Sequence, residues 1–164
     1  MNILMISDVY FPRVNGVSTS IATFRKALAA LGHRVCLIAP DYATGDTDDD
    51  DIIRIPSRYL VLDPEDRMLR MRDILALEEN LGKQSFDLVH IQTPFIAHKT
   101  GIELARRLEL PVVETYHTYF EEYLENYLPF IPRQLLRLAA RRFTVSQCRN
   151  VDAVVVPSAP MLNV

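Results

Sequence analysis

Met1-Asn2-Ile3-Leu4-Met5-Ile6-Ser7-Asp8-Val9-Tyr10-Phe11-Pro12-Arg13-Val14-Asn15-Gly16-Val17-Ser18-Thr19-Ser20, running on to Leu31, is the stretch that decides the fold. Met1–Ile6 reads as an apolar strand and Ser7–Asn15 as a polar loop. Val17, Ile21, Phe24, Leu28 and Leu31 then recur at spacings of four, three, four and three, the period of one buried helix face. A buried strand that passes through a glycine into a helix gathers free backbone N–H groups and the positive end of the helix dipole at one point. Such a point favours phosphate or another anion.

Strands and helices alternate outward from this unit. Asn2–Ile6, Arg34–Ala39, Ile52–Ile55, Leu88–Gln92, Val112–Thr115 and Ala153–Val156 read as strands. Val17–Leu31, Glu65–Leu81, Ile96–Leu108 and Arg133–Gln147 read as helices, with Gly32-His33 as a helix stop and Pro111 before a strand. The strands are continuously apolar rather than alternating, so both of their faces should be covered. The expectation is an α/β domain, a Rossmann-like doubly wound parallel sheet with helices on both faces, whose ligands gather at the carboxyl ends of the strands.

Composition narrows the function classes. With 164 residues, 49% hydrophobic and 24% charged, the chain is long enough for one well-packed domain. A net charge of −3 gives no reason to expect nucleic acid as a partner. No apolar run approaches the ~20 residues that span a bilayer, and the N-terminus lacks the basic region of a signal peptide. The two cysteines, Cys36 and Cys148, have neither disulfide-scaffold density nor metal-ligand spacing. A cytoplasmic protein with reduced thiols is the expectation. The acidic run Asp46–Asp51 reads as a solvated loop, since contiguous aspartates without the glycine and distal glutamate of a calcium loop repel more than they coordinate. No metal site is expected.

Four polar clusters fall where a doubly wound sheet would bind ligands. The first is Ser7, Asp8, Tyr10, Arg13, Asn15, Gly16 and Ser18. It holds a single glycine, so it is neither a dinucleotide fingerprint nor a P-loop. Asp8 sits where receiver domains hold magnesium, but the partner aspartate and lysine are missing from the later strand ends. The second cluster is His90-Ile91-Gln92-Thr93-Pro94, with His90 turned into the sheet as a core residue and Thr93 beyond it. The third is Glu114-Thr115-Tyr116-His117-Thr118-Tyr119. His117, just past a strand end, can exchange protons near neutral pH or bond a sugar hydroxyl; a capping role is the other reading. The fourth is basic: Arg133, Arg137 and Arg141 share one helix face, opposite Leu135, Leu136, Ala139, Ala140 and Phe143. Packing of that apolar face on the sheet is expected ahead of contact with anionic lipid. Tyr116, Tyr119, Tyr123 and Tyr127 form a stripe that suits packing, an interface or ligand stacking alike.

In order along the chain, Asp8-Val9-Tyr10-Phe11-Pro12, Asn15-Gly16-Val17, Leu31-Gly32-His33-Arg34-Val35, Asp87-Leu88-Val89-His90, Pro111-Val112-Val113, Thr115-Tyr116-His117-Thr118 and Asp152–Ser158 resemble the N-terminal domain of the family 4 glycosyltransferases, two-domain enzymes of the GT-B fold. The resemblance covers nearly the whole chain, and it is closest to members that move glucose or mannose onto lipids. It implies a retaining transfer of a hexose from a UDP- or GDP-sugar to a sugar or lipid acceptor, with no cofactor and no obligatory metal. It further implies that residues 1–164 form the acceptor-side domain and that a C-terminal nucleotide-sugar domain is missing from this chain. On this resemblance Asn15, Gly16 and Val17 lie against the donor diphosphate, and His117 is the catalytic histidine. Asp8, Tyr10, Arg13, Thr93 and Thr118 line the acceptor side. The family's two glutamates eight positions apart belong to that other domain; Glu114 and Glu122 share the spacing by coincidence. Without the second domain this chain is expected to be inactive, and the enzyme to sit in the cytoplasm with peripheral contact on the inner membrane face. A stand-alone binding or regulatory module accounts for the fold equally well, and an epimerase of similar architecture is a third reading.

Overall fold

The computed structural model describes residues 1–43, 50–59, 67–117 and 132–159. Six parallel strands form its main sheet: β1 (Asn2–Ile6), β2 (Arg34–Pro40), β3 (Ile52–Ile55), β6 (Leu88–Ile91), β7 (Val112–Thr115) and β8 (Ala153–Val155), in the order β3-β2-β1-β6-β7-β8. A two-stranded antiparallel ribbon, β4 (Arg58–Tyr59) with β5 (Arg67–Met68), stands apart from it. The helices are α1 (Gly16–Ala30), α2 (Met71–Leu75), α3 (Glu78–Gly82), α4 (Ile96–Leu108) and α5 (Arg133–Cys148).

Continuous apolarity along the strands is explained by two cores, one on each face. Ile3, Met5, Val35 and Leu37 point to one side and meet Ile21, Phe24 and Leu28 of α1. Leu4, Ile6, Cys36, Ile38, Val89 and Ile91 point to the other and meet Ile74, Leu81, Ala97 and Leu104 of α2, α3 and α4. Each fully buried aliphatic side chain contributes about 1.5–3 kcal/mol of transfer free energy, so covering both faces is what stabilises the sheet. Gly101 lets α4 approach β6, because a Cβ there would lie 2.7 Å from Ile91 Cγ1. At the end of α1, Gly32 adopts φ +80 and turns the chain toward β2, with His33 N–H donating back to Leu28.

Two expectations need correction. The helix predicted over Glu65–Leu81 is, within the described residues, strand β5 followed by two five-residue helices. Its apolar positions are shared among these pieces: Leu69, Ile74 and Leu81 are all buried, but no single helix carries them. The apolar faces of α1 and α5 are also narrower than their periodicity implies. Leu31 caps α1 and is 72% exposed, while on α5 Leu136, Ala140 and Gln147 are buried and Leu135 and Leu138 stay exposed. Most of the acidic run, like Tyr119, Tyr123 and Tyr127, lies outside the described residues; Asp51 pairs with Arg34 at 2.7 Å. No helix among the described residues is long and apolar enough to cross a membrane.

Candidate active site at the switch point

The chain builds outward from β1 to β3 and then returns to place β6 on the other side of β1. Strand order therefore reverses between β1 and β6, and a crevice opens beyond their carboxyl ends. Ile6 and Ile91 are level across this junction, so the loops that follow rise side by side. They are tied together. Asp8 N–H donates to Thr93 Oγ1 at 2.7 Å, and the Thr93 hydroxyl donates to Asp8 Oδ2 at 2.8 Å. The Asp8 carboxylate also accepts from Ala97 N–H at 3.1 and 3.2 Å. It thus caps α4 from a different segment, where a carboxylate meets the positive end of the helix dipole. Burial dominates its titration and pushes the Asp8 carboxyl up to about 6, against the opposing pull of those hydrogen bonds.

Helix α1 presents the other wall. Asn15 is its N-cap: the backbone is extended, and Oδ1 accepts from Ser18 N–H at 2.8 Å. The N–H groups of Gly16 and Val17, in its first turn, have no intrahelical acceptor. A Cβ built on Gly16 would meet no atom within 4 Å, so the space outside this helix end is open.

Val17, Thr93, Pro94 and His117 line one narrow crevice, together with Gln92 and Glu114. His117 is half-buried, and burial lowers its pKa from the usual histidine value. Its Nε2 lies 2.9 Å from Gln92 Oε1. That oxygen only accepts, so the ring donates from Nε2 and carries its lone pair on Nδ1. Below it, His90 lies inside the sheet with Nε2 2.7 Å from Thr115 Oγ1. Burial first, and the neighbouring His117 second, lower His90 to about 4, so it is the core histidine its strand position implied.

The structure thus brings Val17, Thr93 and His117 together, with Asn15 and Gly16 adjoining them on α1. It places Asp8 and Tyr10 differently. The Asp8 and Thr93 side chains are engaged with each other and with α4. Tyr10 is buried in the core beside α1, edge-on to Phe11, and its hydroxyl is 3.4 Å from Arg25 Nη1. Arg13 is half-buried in the loop between them, with its N–H donating to Tyr10 C=O. Thr118 lies outside the described residues. Glu114 is engaged in the core, with Oε1 3.0 Å from His98 Nδ1; Glu122 lies outside the described residues.

Two features went unassigned in the sequence. Gln92 is the buried partner of His117; the available signal was a polar residue ending an otherwise apolar strand. A second cleft, of about 420 Å³, lies on the far side of Pro94. Met68, Pro94, Ile96 and Phe143 give it an apolar lining, Phe95 is 58% exposed, and Asp8, Arg67 and Lys99 are its charged residues. It joins β5, α4 and α5, which no local sequence pattern links.

Comparison with known proteins agrees with this architecture. The chain is 35% identical over 162 residues to an alpha-monoglucosyldiacylglycerol synthase of Streptococcus pneumoniae, covering 96% of this chain and 35% of the relative. A synthase of the same name from Acholeplasma laidlawii is 28% identical, with 96% and 41% covered. A GDP-mannose-dependent alpha-mannosyltransferase of Mycobacterium tuberculosis is also 28% identical, with 99% and 46% covered. The chain therefore spans between about a third and a half of the length of these relatives. Among solved structures, Anabaena HepE in complex with UDP-glucose superposes with a TM-score of 0.55 at 14% identity, over 95% of this chain and 43% of that one. An alpha-glucosyltransferase in complex with UDP and a DNA 13-mer gives a TM-score of 0.51 at 13% identity, over 96% and 37%. The family model for Glycosyltransferase Family 4 matches residues 14–164, from the loop before α1 onward, and the chain belongs to that family.

Proposed function

We propose that the protein carrying this chain transfers a hexose, glucose or mannose, from a nucleotide sugar to a lipid acceptor with retention of anomeric configuration, and that residues 1–164 supply the acceptor-side half of the site. The observation that carries this reading is the convergence of the α1 N-terminus and His117 on one crevice at the switch point. Charge developing on the departing diphosphate is stabilised by the N–H groups of Gly16 and Val17 and the helix dipole behind them. His117, with its Nδ1 lone pair, accepts a hydrogen bond from a hydroxyl of the transferred sugar or the acceptor. Arg13 lies on the acceptor side, while Asp8, Thr93 and Tyr10 hold the loops that frame it.

The names of the relatives favour a diacylglycerol-type acceptor and a GDP-linked donor, and UDP-glucose, bound in a structure of the same fold, is the other donor. The apolar cleft behind Pro94 fits an acceptor with hydrocarbon character. A second, nucleotide-sugar-binding domain completes the site, no obligatory metal takes part, and the enzyme works at the cytoplasmic membrane surface. The test is transfer of radiolabelled hexose from UDP-glucose or GDP-mannose to diacylglycerol-containing vesicles. Labelled glycolipid is expected when this chain is joined to its nucleotide-sugar domain, and none from the 164-residue chain alone. Turnover by the chain alone would overturn the two-domain reading, and silence from both would favour a non-catalytic module.

A further inference from the structure

We infer that Gln92 is a positioning residue for His117: its amide oxygen fixes the imidazole with the proton on Nε2, so that Nδ1 is presented to the substrate as a hydrogen-bond acceptor. The inference rests on the reading of His117 as the site's histidine. Three observations carry it. Gln92 is 1% exposed, and burying an amide costs free energy unless the amide is bonded. Its Oε1 is spent on His117 Nε2 at 2.9 Å, while its Nε2 has no hydrogen-bond partner among the described residues. Its backbone N–H donates to Ile6 C=O at 2.9 Å, which anchors it to the end of β1.

A purely structural glutamine would satisfy both ends of its amide inside the core. Here one end holds the candidate histidine, and the other remains for an oxygen in the crevice that Gln92 and His117 both line. The amide then serves the site twice, by setting the ring and by donating beside it. Among the described residues, the titratable groups around the ring are His90 on β6, engaged with Thr115, and Glu114 on β7, engaged with His98. Asp8, behind Thr93, is engaged with α4. Among the described residues, Gln92 is therefore the group that determines which imidazole nitrogen carries the proton.

The test is the long-range 1H–15N spectrum of the labelled chain, which reports each histidine's tautomer. His117 is expected as the Nε2–H form in the unaltered chain and as a mixture in Gln92→Met. Gln92→Glu keeps an acceptor in place and should hold the Nε2–H form while raising the imidazole pKa by about one unit or more. In the active enzyme, Gln92→Met should lower kcat about tenfold while the donor KM changes less than about twofold. An unchanged tautomer in folded Gln92→Met, or an Nδ1–H form in the unaltered chain, overturns the inference. If Gln92→Met does not fold, Gln92→Glu decides: a raised pKa supports the inference and an unmoved one overturns it. Failure of the underlying reading looks different. His117→Ala would then leave turnover intact even though Gln92→Met shifts the tautomer.

Discussion

Asp8 shows how one residue can be legible as important and illegible as to why. Its place after β1 marked it for the ligand side, yet its carboxylate caps α4, eighty-nine positions away in sequence. No local pattern connects residues 8 and 97; the contact exists because strand order reverses between β1 and β6. Its titration has a measurable consequence. The folded-state pKa of about 6 lies above the ordinary 3.8, so the stability linked to Asp8 protonation is full below 3.8 and is lost as pH rises through 6. His90 acts oppositely: its folded pKa of about 4 lies below 6.5, so its contribution is full above 6.5 and lost as pH falls toward 4. The two offset one another between pH 4 and 6. Asp8→Asn removes one side of that balance while keeping an acceptor for α4. Urea denaturation should show this variant losing about 2 kcal/mol more stability than the unaltered chain between pH 7 and pH 4.5. Equal losses would show that the Asp8 carboxyl is not shifted. His90 and His117 separated correctly in the sequence, one inside its strand and one just past it, because strand alternation and strand ends are local properties. Gln92 was passed over because its role depends on a partner from the next strand.

At the scale of elements, β1, β3, α4 and β7 match their sequence readings residue for residue. Periodicity and the glycine and proline stops are sufficient where an element packs on the sheet along its whole length. The Glu65–Leu81 reading failed because apolar residues at helix-like spacing can also be buried by several short pieces, and pattern alone does not tell these apart. Two glycines separate packing from binding. Gly101→Ala drives a methyl group into Ile91, and should cost about 1–3 kcal/mol in chemical denaturation as α4 is pushed off β6; a cost near zero would mean that Ile91 repacks freely. Gly16→Val meets open space in this fold, so the helix cap and the melting temperature should change little. Its isopropyl group would stand where the diphosphate approaches the Gly16 and Val17 N–H groups. Donor KM or kcat in the complete enzyme should therefore worsen by about tenfold or more. A valine variant with normal kinetics would remove this helix end from the donor site.

At the scale of the molecule, the sheet order β3-β2-β1-β6-β7-β8 delivers three segments distant in sequence to one edge: the loop after β1 with α1, the loop after β6, and the loop after β7. The doubly wound class was legible because strands apolar on both faces need helices on both sides of one sheet, and the switch point follows from it. The cleft behind Pro94 was not legible, since it is the meeting of three elements with no shared pattern. The relatives extend well beyond the span of this chain, and the proposed site takes its other wall from a second domain. The most direct test of that site is the hexose-transfer rate of His117→Ala against the unaltered enzyme, both carrying the nucleotide-sugar domain, with thermal unfolding as a check on the fold. The expected result is a fall of more than tenfold, about 1.4 kcal/mol of barrier, with the melting temperature nearly unchanged. Unchanged transfer by a folded variant would contradict the assignment and move the chemistry away from the switch point.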